Sequence, residues 1–563
     1  MTKNQEVVRI LNLIADLLEI QEVDFKPRAY RQAALSIESL SEPIEDVYKE
    51  GKLEELPGIG KHIAGKIAEI IETGKLKYLE QLKREVPVDV ESLTQIEGLG
   101  PKKISRLYKE LNIKNREDLK VAAEHHKLQK LPGFGEKSEQ AILQALSFTA
   151  TQRMLLPQAI ATANQIVEGI QIYCEKIDIA GSLRRRKETI GDIDILATAK
   201  NPVMATKAFT SLPFVKKILV SGTTKSSVLL KDNTHADLRI VDKKVYGAAL
   251  QYFTGNKDHN IATRKIAIKK GYKLSEYGLF KGKNIIAATE EEIYQKLGMQ
   301  YLPPELRENM GEIEAALKNK IPKLVELKDI QGDLHAHTNQ SDGADSLEEM
   351  ARAALRLKRK YLLITDHTGI LKIAGGMNEK AILKHYNTID KLNQKLDGIT
   401  LLKGMEVNIM DAGQLDIKES VLKQADLVVA SIHTGFKNNS EQITKRLLNA
   451  IDNQYVNIIA HPTGRLIDRR PAYDFDKEKV FQKAKDTHAA LEINSQPDRL
   501  DLKDTDIKKA IEIGAKFVIS SDAHNVLQLE NIRYGLFMAR RGWAKKSDIL
   551  NTMPWQKMMG YFK

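Results

Sequence analysis

The sequence predicts a multidomain protein of three successive fold types: a helical first quarter, an α+β middle, and a last third of alternating strands and helices. Three observations carry this reading. Apolar residues recur at helical spacing through residues 1–150, as in VVRILNLIADLLEI and HIAGKIAEIIETGKLKYLEQL. Over 151–318, strand-like runs (KIDIAGS, DIDILAT, KKILVSG, SSVLLK, HADLRIV) mix with helices. Beyond 332, short apolar runs (YLLITDH, ITLLKGMEV, ADLVVASIHTG, VNIIAHP, AALEINS, KFVISSDAH) alternate with helical segments, the pattern of a parallel sheet or barrel. A linker falls near 319–332, where Pro322 and a string of charges interrupt the helical pattern.

The net charge of +12 is unevenly spread. Residues 1–100 hold 13 Lys and Arg against 19 Asp and Glu, whereas 101–300 hold 34 against 20. A basic middle of this kind is the footprint of a polyanion, with nucleic acid the first candidate. Cys174 is the single cysteine, so no disulfide forms within the chain. There is no apolar run long enough to span a bilayer and no signal-peptide pattern at the start, so the expectation is a cytoplasmic monomer.

One short pattern occurs three times in the helical part: LPGIGKHIAGKI at 56–67, IEGLGPKKISRL at 96–107 and LPGFGEKSEQAI at 131–142. In each, two glycines flank an apolar residue and an amphipathic helix follows. Glycines allow a tight turn that aims free N–H groups at a phosphate. The pattern resembles the helix-hairpin-helix motif, which grips DNA backbone without reading sequence. Its DNA-binding glycines are Gly58, Gly60, Gly98, Gly100, Gly133 and Gly135.

In the middle section, GSLRRRKETIGDIDIL at 181–196 stands out. Gly181 and Ser182 open a phosphate-sized cradle beside Arg184 and Arg185, and Asp192 and Asp194 stand two apart on a strand. Period-2 geometry places both carboxylates on one face. Like charges that close call for divalent cations between them, and two metals about 4 Å apart serve phosphoryl transfer. Asp237, in HADLRIV, is the candidate third carboxylate.

From about residue 5 to 318 the chain resembles the family X DNA polymerases. The family's Gly-Ser plus Asp-x-Asp motif matches Gly181, Ser182, Asp192 and Asp194, and its third aspartate matches Asp237. The resemblance implies catalysis with Mg2+ or Mn2+ at these aspartates. Ser182, Arg185 and Gly191 would hold the incoming dNTP. A second motif, YFTGNKDHNIATR at 252–264, implies that Tyr252 and Phe253 flank the sugar around Gly255. Asn260 would touch the minor groove of the new base and Arg264 the template. Lys257 and His259 sit where vertebrate relatives have other residues. The family's lyase lysine falls on Lys66, with Lys26 and Tyr30 in support. An ordinary surface lysine competes with that role, because a Schiff-base amine needs a lowered pKa and the segment is acidic, with His62 at the neighbouring position expected to be basic.

The last third scatters metal-type side chains at the C-terminal ends of its apolar runs: His335, His337, Asp342, His367, Glu406, His433, His461, Asp522 and His524. In a β/α barrel such ends meet at one mouth. Nine N/O donors without cysteine suit zinc, manganese or iron. The set resembles the PHP superfamily, which implies a distorted seven-stranded (β/α)7 barrel with a trinuclear centre hydrolysing phosphate esters. His385 and His488 lie outside the set.

Together these imply six segments: a lyase-like helix-hairpin-helix domain (1–88), a second helix-hairpin-helix fingers-type domain (89–150), a nucleotidyltransferase palm (151–245), a thumb (246–318), the linker (319–332) and the PHP domain (333–563). The expected activity is filling of gapped or nicked DNA at primer 3′ ends, in base excision repair, with 3′–5′ exonuclease on the same chain. A DNA-tethered PHP phosphoesterase, a template-independent nucleotidyltransferase and a catalytically inert DNA-end scaffold remain as alternatives. Abasic-site processing stays open.

Overall fold

The helix Lys3–Ile20 buries Val7, Ile10, Leu11, Ile14, Leu17 and Leu18, the stripe that helical spacing requires. Ile67 and Ile70 of Lys61–Thr73, Leu79 and Leu82 of Lys77–Glu85, Ile104 and Leu107 of Pro101–Leu111, and Phe134 complete one core with it. Ser105 donates to the Ile20 carbonyl at 2.8 Å, tying the third of these helices to the first. A single core thus runs through both helical segments and past the boundary expected at residue 88. The computed structural model describes residues 3–38, 40, 43–94, 96, 99–147, 153–369, 371 and 374–562, in two units, Met1–Thr151 and Gln152–Lys563.

The second unit begins with strands β1 (Met154–Leu155), β2 (Lys176–Ile179), β3 (Thr189–Ile190), β4 (Asp192–Thr198), β5 (Val215–Ser221), β6 (Lys225–Leu230) and β7 (His235–Ile240). Five form a sheet in the order β2-β4-β7-β6-β5, with β4 and β7 parallel and the other pairs antiparallel. Ile193, Ile195 and Ala197 of β4 face a core shared with the helices Leu156–Ile170 and Pro202–Thr210. Leu196, on the opposite face, packs with Tyr246, Ala249 and Leu250 of the helix Tyr246–Thr254. The next core joins the helices Lys257–Lys269 and Glu290–Lys296 to a small antiparallel sheet of β8 (Lys273–Ser275), β9 (Gly278–Lys281) and β10 (Asn284–Ala287).

Seven parallel strands follow in sequence order: β11 (Gly332–Asp333), β12 (Tyr361–Ile364), β13 (Thr400–Asn408), β14 (Leu427–Ser431), β15 (Val456–Ile459), β16 (Ala490–Asn494) and β17 (Lys516–Ser520). Parallel neighbours require crossovers, which the intervening helices supply. An inner apolar cluster of Leu334, Leu363, Leu402, Val429, Ile458 and Val518 includes Leu550 and Met558 from the C-terminal segment. The seam between the first and last strands is bridged by Asn551. Its amide donates to the carbonyls of Gly332 and Ile519 at 2.8 Å each and accepts from Ile519 N–H at 3.0 Å. Beyond the seam His337 N–H donates to Ala523 at 2.8 Å, so the strand ends converge.

Residues 319–332 are packed rather than a free tether. Leu324 bridges to Lys545, and Val325 N–H donates to Ala544 at 3.0 Å. Among the described residues no helix is long and apolar enough to cross a membrane.

Asn551 is fully buried and its loss would strand three backbone groups at the seam. Asn551→Ala is expected to lower the stability of the second unit by about 2–3 kcal/mol, read as an earlier transition in denaturant unfolding of the full chain. An unchanged midpoint would mean that the seam closes without it.

Candidate active sites

Along β4 the alternation sends Asp192 and Asp194 to the face opposite the core, and β7 brings Asp237 into register directly beside Asp194. Burial, then the charges of Asp192 and Asp237, push the Asp194 carboxyl up to about 7. The nearest lysine, Lys225, is 3.9 Å from Asp237 and cannot neutralise three carboxylates. Hard oxygen donors with excess negative charge fit divalent cations. Gly181 has φ +59°, and a Cβ there would overlap the Asp194 carboxylate, so only glycine lets the cradle close on the strand. The Ser182 hydroxyl beside it is buried with no protein partner among the described residues.

The arginines depart from the sequence expectation. Arg184 is spent on Glu290 at 2.6 Å and on Thr254. Arg185 donates to Glu308 at 3.0 Å and to the Thr254 carbonyl at 2.5 Å, next to Gly255. Neither stands free over the cradle, because a buried guanidinium needs a partner. Gly191 lies against the Arg153 guanidinium. Tyr252 and Phe253 meet edge to face at 5.2 Å, and Arg239 sits over Phe253. Asn260 is buried, donating to Tyr252 O at 2.7 Å and accepting from Gln251 at 3.1 Å. Arg264 Nε donates to Asn260 O at 3.2 Å. His259 is wholly interior, between Glu312 (2.7 Å) and Tyr294 (2.9 Å), which removes it from any stacking role.

In the helical unit, Gly60 and Gly100 precede the helices Lys61–Thr73 and Pro101–Leu111 with no side-chain cap, which leaves first-turn N–H groups open. Gly58 and Gly133 take φ of +79° and +85°, as the turn requires, and Gly135 occupies the same place as Gly60 before Glu136–Ser147. Gly98 lies outside the described residues. Lys66 places its amine 4.6 Å over the Tyr78 ring, which stacks on Tyr30 at 6.4 Å; Lys26 is exposed.

All nine strand-end residues of the last third meet at one mouth. Three overlapping ligand groups emerge: His337, Asp342, His367 and His524; His335, His337 and Asp522; and His367, Glu406 and His433. His461 Nε2 lies 3.1 Å from Glu406. Buried ring nitrogens of His335, His337, His367 and His461 have no hydrogen-bond partner, the mark of a site that metals complete. Burial opposes their charging, yet the surrounding carboxylates win at three of them. Glu406 and Asp342 hold His367 up to about 10, and His335 and His524 are also raised by Asp522 and its neighbours. His337, where burial wins, falls to about 4.

Several residues escaped the sequence reading. Glu492 accepts from His335 Nδ1 at 2.7 Å and His461 N–H at 2.6 Å. Asn408 meets His433 Nδ1 at 2.7 Å and is itself held by Asp416. Asn494 donates to Asp522 at 2.9 Å. Such outer partners orient ligands. A glutamate inside the apolar run AALEINS was the available signal.

Known proteins share these features. Family models match for a helix-hairpin-helix domain (2–76), a SAM-like helix-hairpin-helix tandem (50–112 and 90–147), a DNA polymerase beta thumb (249–308) and a PHP domain (333–496). The DNA polymerase/3′-5′ exonuclease PolX of Bacillus subtilis (strain 168) is 39% identical over 573 residues, covering 99% of both chains. The chain belongs to the bacterial family X DNA polymerases with a PHP domain. Its PHP part alone is 35% identical over 231 residues to a protein named a probable phosphatase in Thermoanaerobacter sp. (strain X514), spanning 39% of this chain and 89% of that relative. A similarly named protein of Caldicellulosiruptor bescii is 33% identical over 204 residues, 35% of this chain and 80% of the relative.

Metals compete with protons for this mouth. With His367 held up to about 10 and His335 and His524 also raised, metal loading near neutral pH is expected to release protons. Calorimetric titration in buffers of different ionisation enthalpy measures that release. Acidification should eject the metals in turn, and binding without proton release would contradict the arrangement.

Proposed function

We propose that the chain fills short gaps in DNA by templated nucleotidyl transfer at Asp192, Asp194 and Asp237 and trims DNA 3′ ends at the PHP mouth. The observation that carries this reading is the presence of two separate centres with different donors. One is an oxygen-only trio on adjacent parallel strands; the other is a nine-residue, imidazole-rich cluster at the ends of six barrel strands.

At the palm, Asp192, Asp194 and Asp237 would hold Mg2+ or Mn2+, which would supply positive charge toward the primer 3′ oxygen and the triphosphate. Ser182 and the N–H groups after Gly181 receive a phosphate of the dNTP, since that hydroxyl lacks any other partner. Tyr252 and Phe253 bound the sugar, with their backbone pinned by Asn260. Arg185 steadies the Thr254–Gly255 turn beneath them. Arg264 and the hairpin N–H groups position DNA backbone.

At the barrel, His335, His337, Asp342, His367, Glu406, His433, His461, Asp522 and His524 hold three ions of zinc, manganese or iron. These supply Lewis acidity toward a phosphodiester. Glu492, Asn408 and Asn494 keep the ligand rings and carboxylates in place. A polymerase has a direct use for this: a mismatched or blocked 3′ end must be removed before synthesis. The segment boundaries given above, a cytoplasmic site of action and a monomeric state belong to the same reading.

Asp237→Ala should cut gap filling at least about 10²-fold while leaving DNA binding nearly intact. Asp192→Ala should lose synthesis and keep trimming, and His337→Ala the reverse, with primer extension and 3′-end degradation measured on one substrate. Loss of both activities in both variants would point to a single shared centre.

Lys66 is the remaining candidate, for Schiff-base chemistry at a 5′ deoxyribose phosphate. Borohydride should trap the wild-type protein on a pre-incised abasic duplex, and Lys66→Ala should abolish the adduct. Equal trapping by that variant moves the role elsewhere, with Lys26 next.

A further inference from the structure

A cleft of about 560 Å³ lies within the second unit, between the palm and the barrel. Glu188 and Thr189 form one wall, and the loops after β15 and β16 form the other, from Thr463 to Ala472 and around Lys503. Its position relates the two centres. The palm wall ends three residues before Asp192, and the barrel wall begins two residues after His461.

The cleft is lined by Arg465, Arg469, Arg470, Lys477 and Lys503 against Glu188, Asp468 and Asp506. Two of these cations are internally matched. Arg465 pairs with Glu188 at 2.7 Å, and Lys477 with Asp506 at 2.8 Å. The rest are not neutralised in the same way. Lys503 has no carboxylate partner among the described residues. Arg469 reaches Asp498 but stays 62% exposed. Arg470 donates only to the Gly464 carbonyl, at 2.8 Å, and lies flat on Phe436 with its guanidinium 3.8 Å from the ring centre.

Phe436 in turn stacks on Tyr473 at 6.4 Å with 21° between the planes. A guanidinium backed by an aromatic is the surface on which a nucleobase stacks, and neighbouring accessible cations are what a sugar-phosphate backbone follows. Burial and then the like charge of Arg499 lower the pKa of Arg470, so two guanidinium groups are gathered here at a cost. Arg499 is itself 4.0 Å from the Asp522 carboxylate in the metal mouth. Lys503, Arg469 and Arg470 thus line the cleft, and Arg499 joins Arg470 to the metal mouth, a set of cations that an anionic strand would satisfy.

We propose that this cleft is the path of a single DNA strand, whose phosphates meet Arg469, Arg470, Arg499 and Lys503 as its 3′ end enters the PHP mouth. The inference rests on the reading of that mouth as a 3′-end hydrolase. At about 560 Å³ the open cleft matches about one or two nucleotides of a single strand and is too small to seat a duplex, so a paired primer end must unpair to enter. Mismatched ends, which unpair at lower cost, are then the favoured substrates without any recognition of the mismatch itself.

The test uses the full-length protein with two substrates of the metal centre. One is a primer–template with mismatched 3′ nucleotides. The other is bis(4-nitrophenyl) phosphate, a small diester that reaches the mouth without spanning the cleft. For Arg469→Ala/Lys503→Ala, trimming of the primer is expected to fall roughly tenfold through KM. Its salt dependence should flatten by about 0.7 in log–log slope for each phosphate left without its cation. Hydrolysis of the small diester should stay within about twofold of wild type, as should gap filling, because neither depends on a strand held in the cleft. Arg470→Ala should weaken trimming of mismatched and paired ends alike and leave the preference between them unchanged.

Unchanged trimming in the double variant, with wild type active, overturns the path alone. A parallel fall in both substrates also overturns it, since the residues would then act on the metal centre. A wild-type protein that hydrolyses the diester but never trims DNA removes the premise, and the path falls with it.

Discussion

Glu406 sits fully buried within 3.6 Å of five imidazoles, those of His335, His337, His367, His433 and His461. A carboxylate taken out of water on this scale is tolerated only where positive charge surrounds it. The raised His335 and His367 rings carry part of that charge, and metal ions held by these residues would supply it instead. The barrel is arranged around that need. The parallel strands deliver side chains to one rim, β13 carries Glu406 near its C-terminal end, and Glu492 on β16 fixes the His335 ring from behind. The cost of assembling such a group is spread over the whole closed sheet.

A second carboxylate plays a comparable part between the palm, the thumb segment and the barrel. Glu308 accepts from Arg185 at 3.0 Å, from Asn256 at 3.0 Å and from Arg541 at 3.1 Å. Arg541 also donates to the Arg185 carbonyl at 2.6 Å and pairs with Asp504 at 2.5 Å. Arg185 thus belongs at once to the nucleotidyl-transfer motif and to an ion network closed by the C-terminal helix Ile532–Arg541. Buried networks of this kind contribute less to net stability than to a unique arrangement. Here the arrangement fixed is that of the Thr254–Gly255 turn under the nucleotide site.

Local patterns were legible in the sequence, and long-range pairings were not. Asp192 and Asp194 share a face because strand periodicity requires it, and each barrel ligand was marked by the apolar run that ends on it. The third carboxylate, Asp237, was a candidate from its strand HADLRIV and again by resemblance; what the sequence could not state is its register against Asp194. The arginines of GSLRRRK looked like phosphate ligands because their partners, Glu290, Glu308 and Arg541, lie more than a hundred residues away. His259, to which the sugar motif assigned no role, finds its partners Glu312 and Tyr294 far along the chain. Asn551 and Glu492 carried no motif at all, since their value depends on a closed barrel that no short window contains. The helical segments were divided at 88 by motif copies, whereas the core follows the stripe of the first helix through all of them.

The two centres differ in how much fold each one needs. The palm trio requires two adjacent strands in register and one glycine that lets Asp194 approach the cradle, all of it local to a five-stranded sheet. The barrel mouth draws ligands from residue 335 to residue 524, so its geometry exists only when the seam at Asn551 is closed. Metal binding then feeds back on folding, because ions that bind only the assembled mouth stabilise the assembled chain. Without ions the site relies on the pairing of the lowered Glu406 carboxylate with the raised His335 and His367 rings, which is lost when pH rises far enough to neutralise the rings or falls far enough to protonate the carboxylate. The palm keeps Asp192 exposed, and water can solvate its charge before substrate arrives.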